Sequence, residues 1–426
     1  MFLLLQGPHG PFFGQLGRAL SSTGAGVLRV GFNAGDAVFW PDRKTYIPWR
    51  GRMEDWPAAF EALLAQHGVT DVVLYGDVRP VHAEAIAKAR AADVTVHVFE
   101  EGYLRPWWVT LEQGGTNGNS RLMDLSLEDI RHLRETAERQ RPVPPAHWGA
   151  LWHHVFYGAL YHFFVMFFNR RYRTFRPHRA LSVRSEFLLY VRRLGLMPLR
   201  SIERRLATWR IRRGGWPYHL ALLQLEHDSS FQMHSPFTTQ TGFLEAVIRG
   251  FAGGAPAHHH LVFKAHPLED GRAPLRQTIR RLAQAHGLSD RVHYVDGGKL
   301  AGLLNDAVSA VTVNSTAGQQ AIWRGLPLRI FGRAVYDKPG LVSHQPVAGF
   351  FADPDRPDPA AYALFRDFLL ETSQIPGSFY AAAGRRQVLR LATDRLLQAR
   401  ECRAERTGPT AAHPQQLRLV SHRHVS

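Results

Sequence analysis

Val96-His97-Val98-Phe99-Glu100-Glu101-Gly102-Tyr103-Leu104-Arg105-Pro106 is the stretch on which the reading of this chain turns. Val94, Val96 and Val98 alternate as in a β-strand, and Gly102 and Pro106 end the run in a loop. In an open α/β sheet such a strand delivers Glu100 and Glu101 to the C-terminal crevice, where ligands bind. A carboxylate pair followed by Gly102 and Arg105 suits sugar transfer, whose chemistry uses a carboxylate as nucleophile or base. An acidic pair on a solvated strand-end loop fits the same residues, so the rest of the chain must decide.

Working outward, residues 83–90 read as a helix leading into this strand, and residues 71–75 as a strand followed directly by Gly76-Asp77. Residues 27–30 and 2–6 are further strands. The latter runs into Gly7-Pro8-His9-Gly10-Pro11-Phe12-Phe13-Gly14 and a helical pattern around Leu16 to Leu20. A strand, a glycine-rich turn and a helix open many nucleotide-binding α/β domains, where backbone N–H groups can face an anion. The turn is neither a Walker loop nor a dinucleotide fingerprint, so neither ATP nor NAD is expected. Strands alternating with helices argue for a parallel sheet. His9, Asp36 and Asp77 become candidate site residues because they stand in such loops. Past Arg105, residues 107–112 and then 114–120 read as an aromatic and then a small, polar loop of the kind that can wrap a sugar.

With 426 residues, two domains are expected. The single cysteine, Cys402, excludes an intramolecular disulfide framework and fits a reducing compartment. Met1 to Leu5 lack a basic flank, and Gln6-Gly7-Pro8 break the apolar run too early for a signal peptide or a membrane span. The net charge of +16 is concentrated: residues 170–213 hold fourteen arginines against Glu186 and Glu203. That density favours an anionic partner, either nucleic acid, an acidic membrane surface or a phosphorylated substrate. Just before it, residues 147–168 carry nine aromatics, Trp148 to Phe168, with His153, His154 and His162 among them. Aromatics beside clustered arginine suit a helix lying on a membrane surface, the reading preferred here. An aromatic helix packed between domains is the alternative, and no nucleic-acid-binding module is recognisable.

A second α/β unit starts near Trp216. Residues 220–225 form a strand ending in Glu226-His227-Asp228-Ser229-Ser230, and residues 239–251 form a helix. A turn containing His258-His259-His260 leads to the strand Leu261-Val262-Phe263-Lys264, followed by Ala265-His266-Pro267. Residues 274–286 are a helix and 292–295 a strand. Residues 307–313 form another strand, running into Asn314-Ser315-Thr316-Ala317-Gly318 and a helix. Hydroxyls and N–H donors at a helix start make a phosphate site, to which Lys264 and His266 can add positive charge and a proton donor. A helix over 384–400 closes the fold, and the tail from Arg403 is polar.

Taken together, Phe99 to Pro106, Thr110-Leu111-Glu112 and Asn117-Gly118-Asn119-Ser120 resemble the capsule polysaccharide biosynthesis proteins of the KpsS/LipB type. Leu223-Gln224 with Asp228-Ser229, Lys264-Ala265-His266-Pro267, Asn314 to Gly318 and Gly377-Ser378-Phe379-Tyr380 follow in the same order. The resemblance implies an α/β GT-B fold, two Rossmann-like domains facing a cleft. It implies a β-Kdo transferase that takes Kdo from CMP-Kdo and starts the lipid linker of a Gram-negative capsule on (lyso)phosphatidylglycerol. Related retaining Kdo transferases of the KpsC type carry Glu-Asp-Gly where this chain has Glu100-Glu101-Gly102, so Glu101 falls on their aspartate nucleophile. Bacterial sialyltransferases are similar in the carboxylate and His-Pro motifs and also use a CMP-linked ketosugar.

On that resemblance the expected layout is an N-terminal domain over 1–146, an aromatic and arginine-rich docking segment over 147–215, a nucleotide-sugar domain over 216–402 and a tail over 403–426. Glu101 is the nucleophile, or the base of an inverting enzyme, with Glu100 and Asp228 as further candidates for base or acceptor contact. Asn314, Ser315 and Thr316 take the donor phosphate, His266 stabilises or protonates it on departure, and Lys264 adds charge. Arg105 pairs with the Kdo carboxylate or orients Glu101. Pro267, Gln224, His9 and Asn117 complete the expected substrate contacts. No cofactor or metal is expected. The expected partners are CMP-Kdo, an anionic phospholipid and its membrane surface, and capsule-assembly proteins, with no nucleic acid. The expected location is the cytoplasmic face of the inner membrane, held peripherally. A non-catalytic export or scaffold protein on the same fold is the rival from another class.

Overall fold

The computed structural model describes residues 1–135, 151–174, 188, 202–203, 205–267, 269, 271, 273–296 and 299–406. They fall into two units. The first contains Met1–Arg121, Leu133–Val191 and everything from Asp367, and the second contains Leu122–His132 and Arg192–Arg366.

The sheet of the first unit has the order β12-β6-β5-β4-β1-β2-β3. Its strands are β1 (Phe2–Leu4), β2 (Val27–Gly31), β3 (Tyr46–Pro48), β4 (Asp71–Tyr75), β5 (Thr95–Glu101), β6 (Trp108–Gln113) and β12 (Gln374–Pro376). β3 through β5 run parallel, β6 turns back antiparallel to β5, and β12 runs antiparallel to β6. Both faces are covered, which is why β1 is apolar on both sides and polar strand residues such as Arg29, Asp71, His97 and Thr110 are themselves buried. Phe2 and Leu4 face a cluster with Phe12, Phe13 and Leu16 of α1 (Phe12–Ser22) and with Val388, Ala392 and Leu396 of the C-terminal helix Ala382–Arg406. Leu3 and Leu5 face the other way, onto Phe60 and Leu64 of α3 (Trp56–His67) and Ile86 of α4 (Pro80–Ala91). α2 (Ala34–Val38) is capped by Asn33, whose side chain accepts the Asp36 N–H.

The second unit holds an all-parallel sheet of order β11-β10-β7-β8-β9. Its strands are β7 (Tyr218–Leu222), β8 (His260–Lys264), β9 (Val292–Val295), β10 (Ser309–Thr312) and β11 (Leu328–Ile330). Phe243, Val247 and Phe251 from helix Gln240–Gly254 and Ile279 from helix Leu275–Ala285 pack on one face against Ala221, Phe263 and Val311. An α/β chain of two Rossmann-like units, the make-up of the GT-B class, is thus what the sequence encodes.

Three expectations change. Residues 107–112 are not a loop: β6 pairs with β5, Glu100 opposite Thr110 and Glu101 opposite Val109. β5 runs through both glutamates and stops before Gly102, as its sequence reads. The C-terminal domain does not extend to 402. β12 zips onto β6 (Ile375 opposite Val109) and the last helix buries its apolar stripe on the first sheet, so Asp367–Arg406 belongs to the first unit. The glycine-rich turn after β1 is packed by tyrosines. Gly10, at φ +112°, lies where a Cβ would come within 3.0 Å of the Tyr157 ring, and His9 stacks on Tyr161.

Those tyrosines belong to α6 (Leu151–Phe168), the aromatic helix. It buries Val155, Tyr161 and Val165 on the first unit, with the Tyr161 hydroxyl 2.7 Å from Asn33 Nδ2 and 3.2 Å from Gln6 Nε2 and Asp36. The opposite face leaves Trp152, Phe156, Phe167 and Phe168 more than half exposed. No described helix is long and apolar enough to cross a membrane. Residues 136–150, most of the arginine run between 175 and 204, and the tail from 407 lie outside the described residues.

Candidate functional site

In each unit the strand order reverses beside the first strand, between β1 and β4 and between β7 and β10. The loops at the C-terminal ends there are where open sheets bind ligands.

In the first unit, β5 ends in the two glutamates, both half-buried. The Glu100 carboxylate accepts the backbone N–H of Glu101 (3.1 Å), and the Glu101 carbonyl accepts the Thr110 hydroxyl (3.2 Å). Gly76 ends β4 at φ +71°, where a Cβ would meet Glu100 Oε2 at 3.3 Å, so the glycine admits the carboxylate. Beside them is the Tyr75 phenol, held well above its ordinary pKa by burial and by its neighbours Tyr380, Glu101 and Glu100. The Arg79 guanidinium lies 5.4 Å over the Tyr75 ring and donates to Gln6 Oε1. His154 of α6 packs edge-on to Tyr380 at 4.6 Å. A carboxylate pair flanked by a guanidinium, a phenol and an imidazole can attack an electrophilic carbon and hold an anionic group beside it.

The other candidates of this unit are tied into its framework. Arg105 is exposed and donates to the Gly102 carbonyl at 3.2 Å, which braces the bend after Glu101. His9 stacks on Tyr161 at 4.4 Å. Asp36 is buried, accepting from Phe32 N–H and Gln6 and lying 3.4 Å from Arg29. Asp77 accepts the Thr116 N–H and the Asn119 side chain, and Asn117 donates its N–H to the Tyr103 hydroxyl.

In the second unit, Gln224 follows β7 and Asn314 follows β10, at the reversal itself. The two form a closed pair: Gln224 Nε2 donates to Asn314 Oδ1 (2.7 Å), and the Asn314 N–H donates to Gln224 Oε1 (2.9 Å). Asn314 is buried and its Oδ1 and N–H serve this clamp, while Ser315 and Thr316 are half-buried. Ser315 Oγ accepts the Ala317 N–H, a hydroxyl turn leading into the helix Gly318–Trp323. Lys264 is buried, its ammonium donating to the Ala265 carbonyl at 3.3 Å. Asp228 lies in the turn after β7, its N–H on the Leu225 carbonyl.

His266 lines a cavity of about 470 Å³ with Tyr294, Asp296, Arg276 and Glu269, while Pro267 beside it is exposed. Arg276 bonds Asp296 at 2.8 Å and covers the Tyr294 ring at 4.9 Å. An aromatic face, an imidazole and a carboxylate around one cavity can take a nucleoside, the ring by stacking and the sugar hydroxyls by hydrogen bonds. Sequence reasoning missed Tyr294 and Asp296 here, and Arg79, Tyr380 and His154 in the first unit. Asp296, directly after a strand, carried the same signal as Asp77 and could have been found.

Among the described residues no group of three His, Cys, Asp or Glu side chains is placed to hold a metal ion. His259 and His260 pair with other histidines, His219 at 3.0 Å and His293 at 2.8 Å.

The family model for capsule polysaccharide biosynthesis proteins matches residues 70–380. The capsule polysaccharide export protein KpsS of Escherichia coli is 30% identical over 392 residues, 89% of this chain and 96% of that protein. The capsule polysaccharide modification protein LipB of Neisseria meningitidis serogroup B is 32% identical over 391 residues, 89% of this chain and 91% of that one. Among solved structures, KpsC of Thermosulfurimonas dismutans, a beta Kdo 2,7 transferase, aligns over 94% of this chain and 99% of its own. Its identity is 13% and its TM-score 0.43, a likeness too slight to carry an argument.

Proposed function

The chain belongs to the capsule polysaccharide biosynthesis protein family, and from that premise we propose that it is a retaining glycosyltransferase moving Kdo from CMP-Kdo to (lyso)phosphatidylglycerol. The observation that carries the reading is the carboxylate pair ending β5, beside Arg79 and Tyr75. In this reading a Glu101 oxygen attacks the anomeric carbon, and the bond to the phosphate of CMP breaks with its electron pair leaving on CMP. The acceptor hydroxyl then displaces Glu101 from that carbon. Its proton passes to Glu100, and two inversions leave the configuration retained.

The second unit holds the donor. Cytidine takes the cavity of His266, Tyr294 and Asp296. The phosphate takes the Ser315–Thr316 turn that the Gln224–Asn314 pair supports, with His266 as the acid for the departing oxygen. CMP leaves well once its charge is met by such donors, so transfer needs no divalent metal and survives EDTA. The exposed aromatics of α6, followed by Arg170, Arg171 and Arg173, suit docking on the anionic cytoplasmic face of the inner membrane, where the lipid acceptor lies.

The test is mass spectrometry of purified protein with CMP-Kdo and lysophosphatidylglycerol. A product heavier by one Kdo is expected, with retained anomeric configuration. Inverted product would make Glu101 a base. CMP binding without transfer to any acceptor would favour an export role, as the E. coli relative is named. Sedimentation with anionic but not neutral liposomes, weakened by salt, is expected of the docking face.

A further inference from the structure

β6 lays Thr110 and Glu112 on the same side of the sheet as Glu100, because Thr110 stands opposite Glu100, Glu112 stands opposite Val98, and side chains alternate. The Glu112 carboxyl sits in a dry corner with Tyr103, Ser120, Asp77 and Arg121 as its polar and charged neighbours. Ser120 and Tyr103 hydrogen-bond it, but its Oε1 is sealed from solvent with no partner among the described residues. The neighbouring Asp77 has the better supply of donors, the Thr116 N–H at 2.9 Å and Asn119 Nδ2 at 3.1 Å on its Oδ2. A carboxyl with one oxygen that nothing solvates, and a second acidic side chain among its neighbours, favours keeping its proton. Burial pushes the Glu112 carboxyl up to about 8.

What Glu112 touches gives its proton a use. Tyr103 is buried two residues after Glu101. Its N–H donates to Gln374 Oε1 (2.9 Å), and its hydroxyl accepts the N–H of Asn117 (2.7 Å), a residue at φ +52°. One phenol thus ties the bend after the glutamate pair to a turn whose backbone a non-glycine residue adopts at a cost.

We propose that Glu112 is a positioning residue acting as a neutral carboxylic acid, which holds Tyr103 and the 114–120 turn so that the Glu100–Glu101–Gly102 end of β5 keeps its shape. Ionising it places an unsolvated charge against Asp77 and loosens that brace.

The first arm needs no activity: infrared difference spectra across pH, wild type beside Glu112→Gln. The wild type should show a protonated-carboxyl band near neutrality that fades as pH rises through about 8 and that the variant lacks. Hydrogen exchange of residues 114–120 in the wild type should quicken over the same range beyond the intrinsic pH trend. The second arm rests on the transfer reading. Wild-type transfer should fall about tenfold per pH unit above that range. Glu112→Gln should stay within about threefold of wild type near neutrality and keep its rate at about pH 9. A carboxyl band that persists in the variant, exchange that ignores the titration, an alkaline limb the variant leaves unmoved, or a variant dead at every pH would each overturn the proposal. If no acceptor is glycosylated under any condition, the transfer reading fails, and infrared and exchange still decide Glu112.

Discussion

At the C-terminal ends of the first sheet the polar groups are Glu100 and Glu101, with Tyr75 and Arg79 beside them. At the corresponding ends of the second sheet the groups read as holding the donor are amides, hydroxyls and an imidazole, Gln224, Asn314, Ser315, Thr316 and His266, with Asp296 tied to Arg276 beside them. β5 runs parallel to β4, with β6 antiparallel on its other side, while β7, β8 and β10 run parallel to one another, so an open-sheet crevice arises in each unit. The chemical difference lies in what these strand ends carry. Carboxylates make and break bonds to carbon, whereas neutral donors and an imidazole hold an anion. Fold supplies the place and side chains supply the chemistry.

The comparison breaks first at Glu101. Glu101→Gln keeps size and hydrogen bonding but loses the nucleophile, so transfer should fall by at least ~10³-fold, read as product formed per unit time. On the second sheet, Asn314→Ala takes the acceptor from Gln224 Nε2 inside a buried pair. It should cost about 1–3 kcal/mol of stability and weaken CMP binding roughly tenfold by calorimetry.

Acid should separate the units next. Burial lowers His219 to about 3, with His259 and Arg291 adding to the effect, and lowers His293 to about 4. Both groups are therefore folded neutral. Below the ordinary histidine value of 6.5 the unfolded chain gains protons that the folded unit refuses, so the second unit loses stability as pH falls from there towards about 4. In the first unit burial opposes ionisation of Asp71, but the His97 hydrogen bond at 2.8 Å outweighs it and holds the carboxyl below 3.8. That contribution is present above 3.8 and lost only below it. Hydrogen exchange against pH should therefore show the second unit opening first. The smallest effect belongs to Tyr161→Phe, which strips hydrogen bonds to Asn33, Gln6 and Asp36. It should lower the stability of the first unit by about 1–2 kcal/mol in denaturant and leave CMP affinity unchanged.

How much of this was legible follows from sequence distance. β4 was readable to the residue because five apolar-rich residues between a glycine-ended helix and Gly76 allow little else. The positions of Glu100, His266 and Asn314 at strand ends were readable for the same local reason. β6 was not, since Trp108 to Gln113 become a strand only through β5 on one side and residues 374–376, far along the chain, on the other. The return of the chain after Asp367 was hidden likewise: the stripe Val388, Ala392 and Leu396 announces a helix but not the sheet it covers. For Asn314 the sequence read the loop correctly and could not see that Gln224, ninety residues earlier, takes its amide oxygen. Long-range pairing, not local propensity, is what remained out of reach.

The division of labour between the sheets is tested most directly by measuring transfer and CMP binding side by side in wild type, Glu101→Gln and His266→Ala. Glu101→Gln should bind CMP as tightly as wild type and transfer nothing, while His266→Ala should lose both. Transfer at the wild-type rate by Glu101→Gln, or loss of CMP binding in it, would contradict the account.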